Sequence, residues 1–417
     1  GEILVGSETH KATQSHFTFQ SLKPAKVKGK AKRIPIHKLI SEKTVKADAS
    51  QKMQVSSEMV GRDQELAKLE SQIIKAVNGQ GSVVNVLGEP GIGKSRLLAE
   101  LRQLEVIKRA RFLEGRSISI GKNLSFHPII DLFKQWAKIM EDDTSTEASN
   151  KLEAAVRSVC SDEVCEVFPF VATMMGIRLS DKYSQRMKGL EGEAIEKLIL
   201  KNVRELLIRL TKLIPIVIVM EDLHWADTTS LELLKSLFRI AQTHRVVFIN
   251  IFRPGYWQED DREIETLSQW LPEIEFAEIA IKPLDKQMRE TLINSTVQVK
   301  GLGYAVKQQI VDRAGGNPFF IEEIVRSFID EGAIVRTNGI FEVTKKIDHI
   351  QIPSTIIDVL MTRIDLLEER TRELIKVASV IGRSFFDRIL KDVATTIEGV
   401  DERLAFLKDA QFIRDHI

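Results

Sequence analysis

Between residues 57 and 281, short apolar runs alternate with stretches whose apolar residues recur at helical spacing. The first run, residues 83–87, reads Val-Val-Asn-Val-Leu and is typical of a short buried strand. After residue 94, leucines at positions 97, 98, 101 and 104 fall on one helical face. Strands that alternate with helices predict an α/β fold, in which helices cover both faces of a parallel sheet.

The rest of this region continues the alternation around a largely helical insertion. Apolar runs predict strands, and amphipathic patterns predict helices. The predicted strands cover 111–114, 216–220, 246–251 and 274–281, and the predicted helices cover 129–140, 152–167, 194–213 and 230–241.

Helical patterns dominate after Pro283. A hairpin is predicted at 334–343, where Asn338-Gly339 stands between two alternating runs and indicates a type I′ turn. Three or four more amphipathic helices are predicted from residue 353, in a C-terminal domain that we expect to be truncated. The helices predicted before the hairpin cover 285–297, with Asp285 as its cap, 306–314, and 318–330, with Pro318 in its first turn.

The first 57 residues carry a different charge pattern. They hold 11 Lys+Arg against 4 Asp+Glu, a net charge of +7. Lysine alternates with small or apolar residues over 23–33, which predicts an edge strand with a solvated lysine face; a basic targeting or heparin-type run is the alternative. Residues 41–56 are polar without an apolar period and are predicted to be a linker.

Composition excludes several classes of function. The chain has 417 residues, 60 Lys+Arg against 59 Asp+Glu and 43% hydrophobic residues, so neither intrinsic disorder nor general polyanion binding is expected. The two cysteines, Cys160 and Cys165, cannot build a disulfide framework, which favours a reducing, cytoplasmic location. The apolar stretch 213–220 falls short of the roughly 20 residues that a bilayer requires. Because the chain begins with Gly1, we expect it to be a fragment.

Residues 88–95 match the phosphate-loop pattern G-x-x-x-x-G-K-[ST] at every fixed position. Glycines allow the backbone to turn sharply, so that amide groups at the start of a helix can surround phosphate. Lys94 is predicted to reach the β and γ phosphates, and the Ser95 hydroxyl to bind Mg²⁺. The residues predicted to contact the nucleotide here are Gly88, Glu89, Pro90, Gly91, Ile92, Gly93, Lys94, Ser95 and Arg96.

The strand 216–220 ends in two carboxylates, Glu221 and Asp222. In a phosphate-loop protein one acidic residue holds the metal and another orients or deprotonates the attacking water. We expect this strand to lie beside the phosphate-loop strand. Which carboxylate has which role stays open. His224 and Trp225 are interpreted as packing residues.

Several motifs in this order resemble the STAND branch of AAA+-like signalling ATPases. The resemblance covers residues 57 to about 410 and implies an ATP–Mg²⁺ site, a helical lid over 282–350 and a winged-helix-like domain over 351–417. It implies that Val60, Gly61 and Arg62 lie near the adenine, that Arg253 senses the γ phosphate, and that Pro318 contacts base or ribose. The motifs are Val60-Gly-Arg-Asp-Gln-Glu-Leu66, the phosphate loop, Glu221-Asp-Leu-His-Trp-Ala-Asp227, Phe252-Arg-Pro254 and Gly316-Asn-Pro318.

The acidic pair departs from the order more common in that family, which is Asp-Asp or Asp-Glu. Lys94, Glu221, Asp222 and Arg253 are the expected catalytic residues, with Ser95 and the two acids at the metal. The Glu-Asp order leads us to expect slow hydrolysis.

Residues 1–40 resemble the last strands of a class III nucleotide cyclase domain. The resemblance rests on residues 1–10, on Phe17-Thr-Phe19 and on the run from Val27 to Ile36. It implies a cyclase joined to a STAND ATPase, similar to soluble adenylyl cyclases and their bacterial relatives, with C-terminal sensor repeats. The catalytic residues of that family lie upstream of this stretch, so this chain is not expected to form a cyclic nucleotide.

Two other functions stay open. One is a DNA-binding winged-helix ATPase, although the charges of residues 351–417 are mixed rather than basic. The other is a scaffold that binds nucleotide without hydrolysing it.

Overall fold

The computed structural model separates residues 1–55 and 398–417 from residues 56–397 as two units. The predicted winged-helix-like region, 351–417, is therefore divided between them. The residues that the structure describes are 4–6, 9, 17–25, 34–42, 59–117, 125–140, 142–254, 274–296, 299–337, 340–344, 347, 352–382 and 385–414.

The first unit contains a three-stranded antiparallel sheet, with strand β3 between β1 and β2. Lys23 lies in the edge strand β2, as predicted, but the rest of the lysine-rich run, 26–33, lies outside the described residues. β3 continues two residues past the predicted domain end at residue 40. The strands are β1 (Leu4–Gly6), β2 (Phe17–Ala25) and β3 (Ile34–Glu42).

The second unit is built on a five-stranded parallel sheet, which confirms the predicted α/β fold. Its strands are β4 (Ser82–Leu87), β5 (Arg111–Arg116), β6 (Ile216–Glu221), β7 (Val246–Phe252) and β8 (Phe276–Ala280). Their order is β5-β6-β7-β4-β8. The acidic strand β6 was expected to lie beside the phosphate-loop strand β4. This expectation is wrong, because β7 lies between the two strands. Apolar runs predict strands but carry little information about their order.

Helices pack on both faces of the sheet. One long helix predicted at 152–167 is two helices in the structure, because the chain breaks at Ser161, which has a φ of +44°. The helices of this region are α1 (Asp63–Val77), α2 (Lys94–Gln103), α3 (His127–Ala137), α4 (Ser145–Cys160), α5 (Val164–Met174), α6 (Asp181–Met187), α7 (Glu193–Leu213) and α8 (Thr228–Phe238).

Strand alternation divides the apolar core between the two faces. Val217 and Val219 of β6 face a cluster that includes Leu97 and Leu101 of α2. Ile218 and Met220 face a larger cluster with the helical insertion and α8. The phosphate loop therefore leads into α2 on the face of the sheet that carries Val217 and Val219 of β6.

The described part of the lid region includes three helices and a small sheet. Asp285 caps the first helix, as predicted, by accepting a hydrogen bond from the Met288 amide at 2.8 Å. The turn at Asn338-Gly339 lies outside the described residues, although both strands of the predicted hairpin are present. The elements are α9 (Lys286–Thr296), β9 (Val299–Lys300), α10 (Tyr304–Ala314), α11 (Pro318–Asp330), β10 (Ile334–Thr337) and β11 (Ile340–Val343).

The described residues after 351 contain helices. α12 (Ile356–Asp365), α13 (Glu369–Ile381) and α14 (Asp387–Val393) belong to the second unit, and α15 (Val400–Asp409) belongs to the first. Among the helices of the described residues, none is both long and apolar enough to cross a membrane.

Candidate functional site

The phosphate loop connects β4 to α2. Gly91 and Gly93 have φ angles of +77° and +105°, in the left-handed region that favours glycine. At Gly88 a Cβ atom would lie only 2.8 Å from Ile92 Cγ2. The Ile92 side chain is buried in the core beside α2 and anchors the loop. These contacts explain why the motif requires glycine where the chain turns into the helix.

Lys94 lies across the loop. Its Nζ donates to the backbone oxygens of Gly88 at 2.6 Å and of Glu89 at 2.9 Å. These acceptors are neutral, so a phosphate oxygen would offer the ammonium a stronger, charge-assisted hydrogen bond. Ser95 is exposed in the first turn of α2, where the amides have no partner within the helix.

Glu221 and Asp222 lie at the carboxyl end of β6, and both are buried. By strand alternation, Glu221 belongs to the face of β6 that also carries Val217 and Val219, which is the face of α2. Asp222 has a φ of +54° and begins a 3₁₀ turn at 223–225. The two carboxylates therefore differ in backbone conformation.

The register of the sheet relates the acidic strand end to the phosphate loop. It pairs Met220 with Asn250 of β7, and Asn250 with Asn85 of β4. With neighbouring strands about 4.8 Å apart, the strand end at Glu221 lies about 10 Å from that of β4. Arg253 directly follows β7 and therefore lies at the strand end between them.

Arg116 is a neighbour of the site that the sequence motifs did not indicate. Its Nη2 donates to Glu221 Oε2 at 2.6 Å, and the two side chains are 23% and 11% exposed. The pairing follows from the parallel register of β5 and β6, which sets these residues side by side. The predicted strand 111–114 ended two residues too early to include it.

The last residue of the Glu-Asp-Leu-His-Trp-Ala-Asp run is a helix cap. Asp227 Oδ1 accepts a hydrogen bond from the Ser230 amide at 2.9 Å at the start of α8. His224 is buried, and its ring centroid lies 5.1 Å from that of Trp225. This part of the motif therefore packs and orients the loop after the acidic pair.

Val60, Gly61 and Arg62 lie between the phosphate loop and the lid. The Arg62 Nη2 atom donates to the Ile92 oxygen at 3.3 Å and to the Lys282 oxygen at 2.6 Å. Burial lowers the pKa of the Arg62 guanidinium, although the neighbouring Glu65 opposes this shift. Arg62, which was predicted to lie near the adenine, therefore donates hydrogen bonds to the backbone of two segments of the protein.

The lid contacts the phosphate loop through the residues just before and within α11. Asn317 Nδ2 donates to the Pro90 oxygen at 2.9 Å, and the Phe319 amide donates to the Gly91 oxygen at 3.3 Å. Asn317 also caps α11, with Pro318 in its first turn. The lid helix therefore begins at the loop that is predicted to hold phosphate.

The residues at this edge of the sheet fit Mg²⁺ and a nucleotide triphosphate. Gly91 and Gly93 have left-handed φ angles, and a Cβ at Gly93 would meet nothing within 4 Å, so the loop has open space there for an anion. Lys94 and Ser95 supply a cation and a hydroxyl, and the acidic strand end supplies carboxylates. Arg96, also predicted to contact nucleotide, pairs with Glu100 along α2 at 2.8 Å.

Comparison with protein families agrees with this arrangement. Residues 58–249 match the model of the AAA ATPase domain. The match covers a little less than half of the chain and includes the phosphate loop and the acidic strand β6. Residues 285–340, which follow the module and contain the lid helices, match a domain of unknown function, DUF8739.

Similar proteins include an uncharacterized protein of Rhizobium meliloti (strain 1021). It is 27% identical to this chain over 333 residues, which cover 77% of this chain and 30% of that protein. The chain therefore spans less than a third of the length of this relative.

Three solved structures with similarity to the chain have TM-scores below 0.5. A Signal Transduction ATPase with Numerous Domains (STAND) protein with a tetratricopeptide repeat sensor, from Pyrococcus horikoshii, is 15% identical, with a TM-score of 0.44, and the match covers 87% of this chain and 41% of that one. The ORC1 protein of Aeropyrum pernix in complex with DNA is 12% identical, with a TM-score of 0.39 and 87% of each chain covered. A RuvB variant of Thermotoga maritima is 12% identical, with a TM-score of 0.32 and coverage of 84% and 85%.

Proposed function

We propose that residues 56–397 bind ATP with Mg²⁺ and act as a slowly hydrolysing regulatory switch. The contact between the lid and the phosphate loop is the observation that carries this proposal. Because Asn317 and Phe319 bond loop carbonyls, a change in the loop on nucleotide binding alters contacts made by the lid. A nucleotide shifts such an equilibrium only by binding the two lid positions with different affinity.

Each predicted site residue has a role in this proposal. Lys94 and the loop amides bind the phosphates, Ser95 and one acid hold Mg²⁺, and the other acid orients water. Mg²⁺ neutralises phosphate charge when bound. Arg253 senses the γ phosphate, and Val60, Gly61 and Pro318 lie beside the base or ribose. Arg62 positions the loop relative to the lid through its two backbone acceptors.

The ion pair between Arg116 and Glu221 supports slow turnover. A carboxylate that is already paired with a guanidinium must leave that partner before it binds a metal or orients water. The same pair also supports the scaffold alternative, in which ATP is bound without hydrolysis. The rate of phosphate release separates the two.

We also propose that the chain is part of a cytoplasmic class III adenylate cyclase-like signalling protein with C-terminal sensor repeats. The antiparallel sheet of β1 to β3 and the sequence resemblance of residues 1–40 support it. Cyclic AMP formation by the full-length natural protein, and its change when Lys94 is replaced, tests the coupling. A full-length protein that forms no cyclic nucleotide contradicts it.

Lys94→Ala tests the nucleotide site directly. We expect ATP affinity measured by calorimetry to fall at least about 100-fold, because the charge-assisted bonds to phosphate are lost. Lys108→Ala is the matched control, since Lys108 forms an exposed pair with Glu105 after α2.

Circular dichroism must show both variants folded. Unchanged ATP affinity in a folded Lys94→Ala protein would refute the assignment of the phosphate site. Equal losses in both variants would point to a general effect of removing surface charge.

A further inference from the structure

A buried cluster of charged side chains joins the lid helix α11 to α12. We call Glu323, Arg326, Asp330 and Arg363 the buried ion cluster. Glu323 pairs with Arg326 in its own helix and with Arg363 of α12, and Arg363 Nε also donates to Asp330 Oδ2 at 2.6 Å. The side chains of Arg363, Glu323 and Arg326 are only 1%, 2% and 4% exposed. The contact between the two helices therefore contains a dry ion pair beside the apolar packing of Val359.

α12 buries one arginine beside an apolar residue. Val359 and Arg363, four residues apart, are both buried. Ile357 and Met361, on the other side of the helix, are 67% and 50% exposed. A helix held only by the hydrophobic effect would bury apolar residues in preference to an arginine. The arrangement indicates that the ionic contact, together with the apolar packing of Val359, orients α12.

Ion pairs are an expensive way to fix two helices together. Removing charges from water costs several kcal/mol per ion, and well-packed apolar residues often stabilise as much or more. An ionic contact differs in being directional, because it is strong only when the opposed groups meet in good geometry. A displacement of one helix therefore misaligns the hydrogen bonds of the pair and leaves its buried charges poorly compensated, which is costly.

α11 connects this cluster directly to the phosphate loop. Its first turn bonds the Pro90 and Gly91 oxygens through Asn317 and Phe319. Glu323 follows Phe319 by four residues, about 6 Å along a helix that rises 1.5 Å per residue. A shift of the loop that moves the start of α11 must therefore also move Glu323.

We propose that the buried ion cluster is the joint through which the nucleotide state of the phosphate loop reaches α12, with Arg363 as its positioning residue. This inference rests on the proposed nucleotide switch. α11 acts as the rigid connection, and the Glu323–Arg363 contact determines whether α12 follows it. The functional consequence is that α12, with the apolar face that it exposes, changes how it packs on α11 when the nucleotide state changes.

Hydrogen exchange with and without Mg·ATP tests the joint. In the wild-type protein we expect saturating Mg·ATP to change exchange of the α12 amides by at least about fivefold, the lower end of allosteric couplings. In Arg363→Met, which keeps the volume but not the charge, the change should fall below about twofold. The amides of the first turn of α11 should respond to ATP in both proteins.

Arg370→Met is the matched control, because Arg370 makes an exposed pair with Glu373 on α13. It should keep the wild-type response of α12. If Arg363→Met does not fold, Asp330→Asn removes only the negative charge beside Arg363 Nε and should at least halve the response.

Calorimetry on the same samples separates this inference from the proposed function. If ATP binds and α12 responds equally in the wild type and in the folded cluster variants, the joint is refuted while the nucleotide switch stands. ATP binding without any α12 response in the wild type also refutes it. If ATP does not bind the wild type, the proposed function fails, and the joint fails with it.

Discussion

Two glutamates of this molecule are paired with arginines in different surroundings. Glu221 lies at a strand end and pairs with Arg116, which water still reaches. Glu323 lies between helices and pairs with two arginines in a dry interface. The first pair is partly accessible to water, so separating its partners costs less than leaving a charge unpaired in the second.

The backbones that carry these glutamates differ as well. Glu221 ends a strand whose neighbours β5 and β7 fix it by hydrogen bonds and apolar packing, so only its side chain can change partner. Glu323 belongs to a helix whose first turn bonds the phosphate loop. The comparison indicates that a change of ion-pair partner at Glu221 affects local chemistry, whereas a change of partner at Glu323 moves a helix.

The largest effect should come from breaking the dry contact on one side only. Glu323→Ala leaves buried guanidinium groups without their shared carboxylate and should lower the free energy of unfolding by about 3–5 kcal/mol. Glu323→Leu combined with Arg363→Met removes the carboxylate together with one of its two guanidinium partners, while Arg326 keeps its pair with Glu322, so this variant should recover part of that loss. Urea unfolding of the three proteins measures it. A double variant as unstable as Glu323→Ala would mean that the charges themselves do not dominate the contact.

The pair at the strand end should affect rate rather than stability. Arg116→Ala frees Glu221 from an ion pair of about 1 kcal/mol. ATP hydrolysis should therefore rise roughly fivefold to tenfold while ATP affinity changes little. Arg116→Lys keeps a cation and should stay near the wild-type rate. A fall in the hydrolysis rate of Arg116→Ala would show instead that the arginine assists the reaction.

Much of the α/β region could be predicted because its signals are local. The apolar run before Gly88, the leucines of α2 and the cap at Asp285 each depend on neighbours in the sequence. The order of strands does not, since a parallel strand carries no mark of its partner. For that reason β6 was expected beside β4, and the insertion of β7 between them was not foreseen.

The arginine partners of both glutamates were missed for the same reason. Arg116 and Glu221 are 105 residues apart, and Arg363 and Glu323 are 40 residues apart. Their pairing depends on sheet register in one case and on helix packing in the other. The sequence shows only that Arg363 falls on the same helical face as Val359, which is a signal too weak to identify a buried arginine.

Asp227 carries a carboxylate whose role differs from those of Glu221 and Glu323, because it accepts a backbone hydrogen bond at the start of a helix. It caps α8, so Asp227→Ala should lower the free energy of unfolding by about 1–2 kcal/mol. ATP affinity should not change, because the residue acts through the helix. Asp227→Asn retains an acceptor for the Ser230 amide and should lose less. A loss of ATP affinity without a loss of stability would instead assign Asp227 to the nucleotide site.

The smallest effect should come from an exposed pair, Lys75 and Glu275, whose side chains are 38% and 45% exposed. Hydrogen bonds from Lys75 and Gln72 lower the pKa of Glu275. A depressed carboxyl pKa stabilises the fold above the pKa of the unfolded chain, about 4.3, and that contribution is lost as pH falls through the folded value. Solvent screening limits it to about 0.5 kcal/mol.

Glu275→Gln should therefore be slightly less stable than the wild type at pH 7, and the difference should shrink as pH falls below about 4. Urea unfolding over this pH range measures it. A difference above about 2 kcal/mol at pH 7 would mean that exposure is a poor guide to the strength of these ion pairs. The contrast drawn between Glu221 and Glu323 would then lose its physical basis, because it assumes that access to water is what weakens the pair at the strand end.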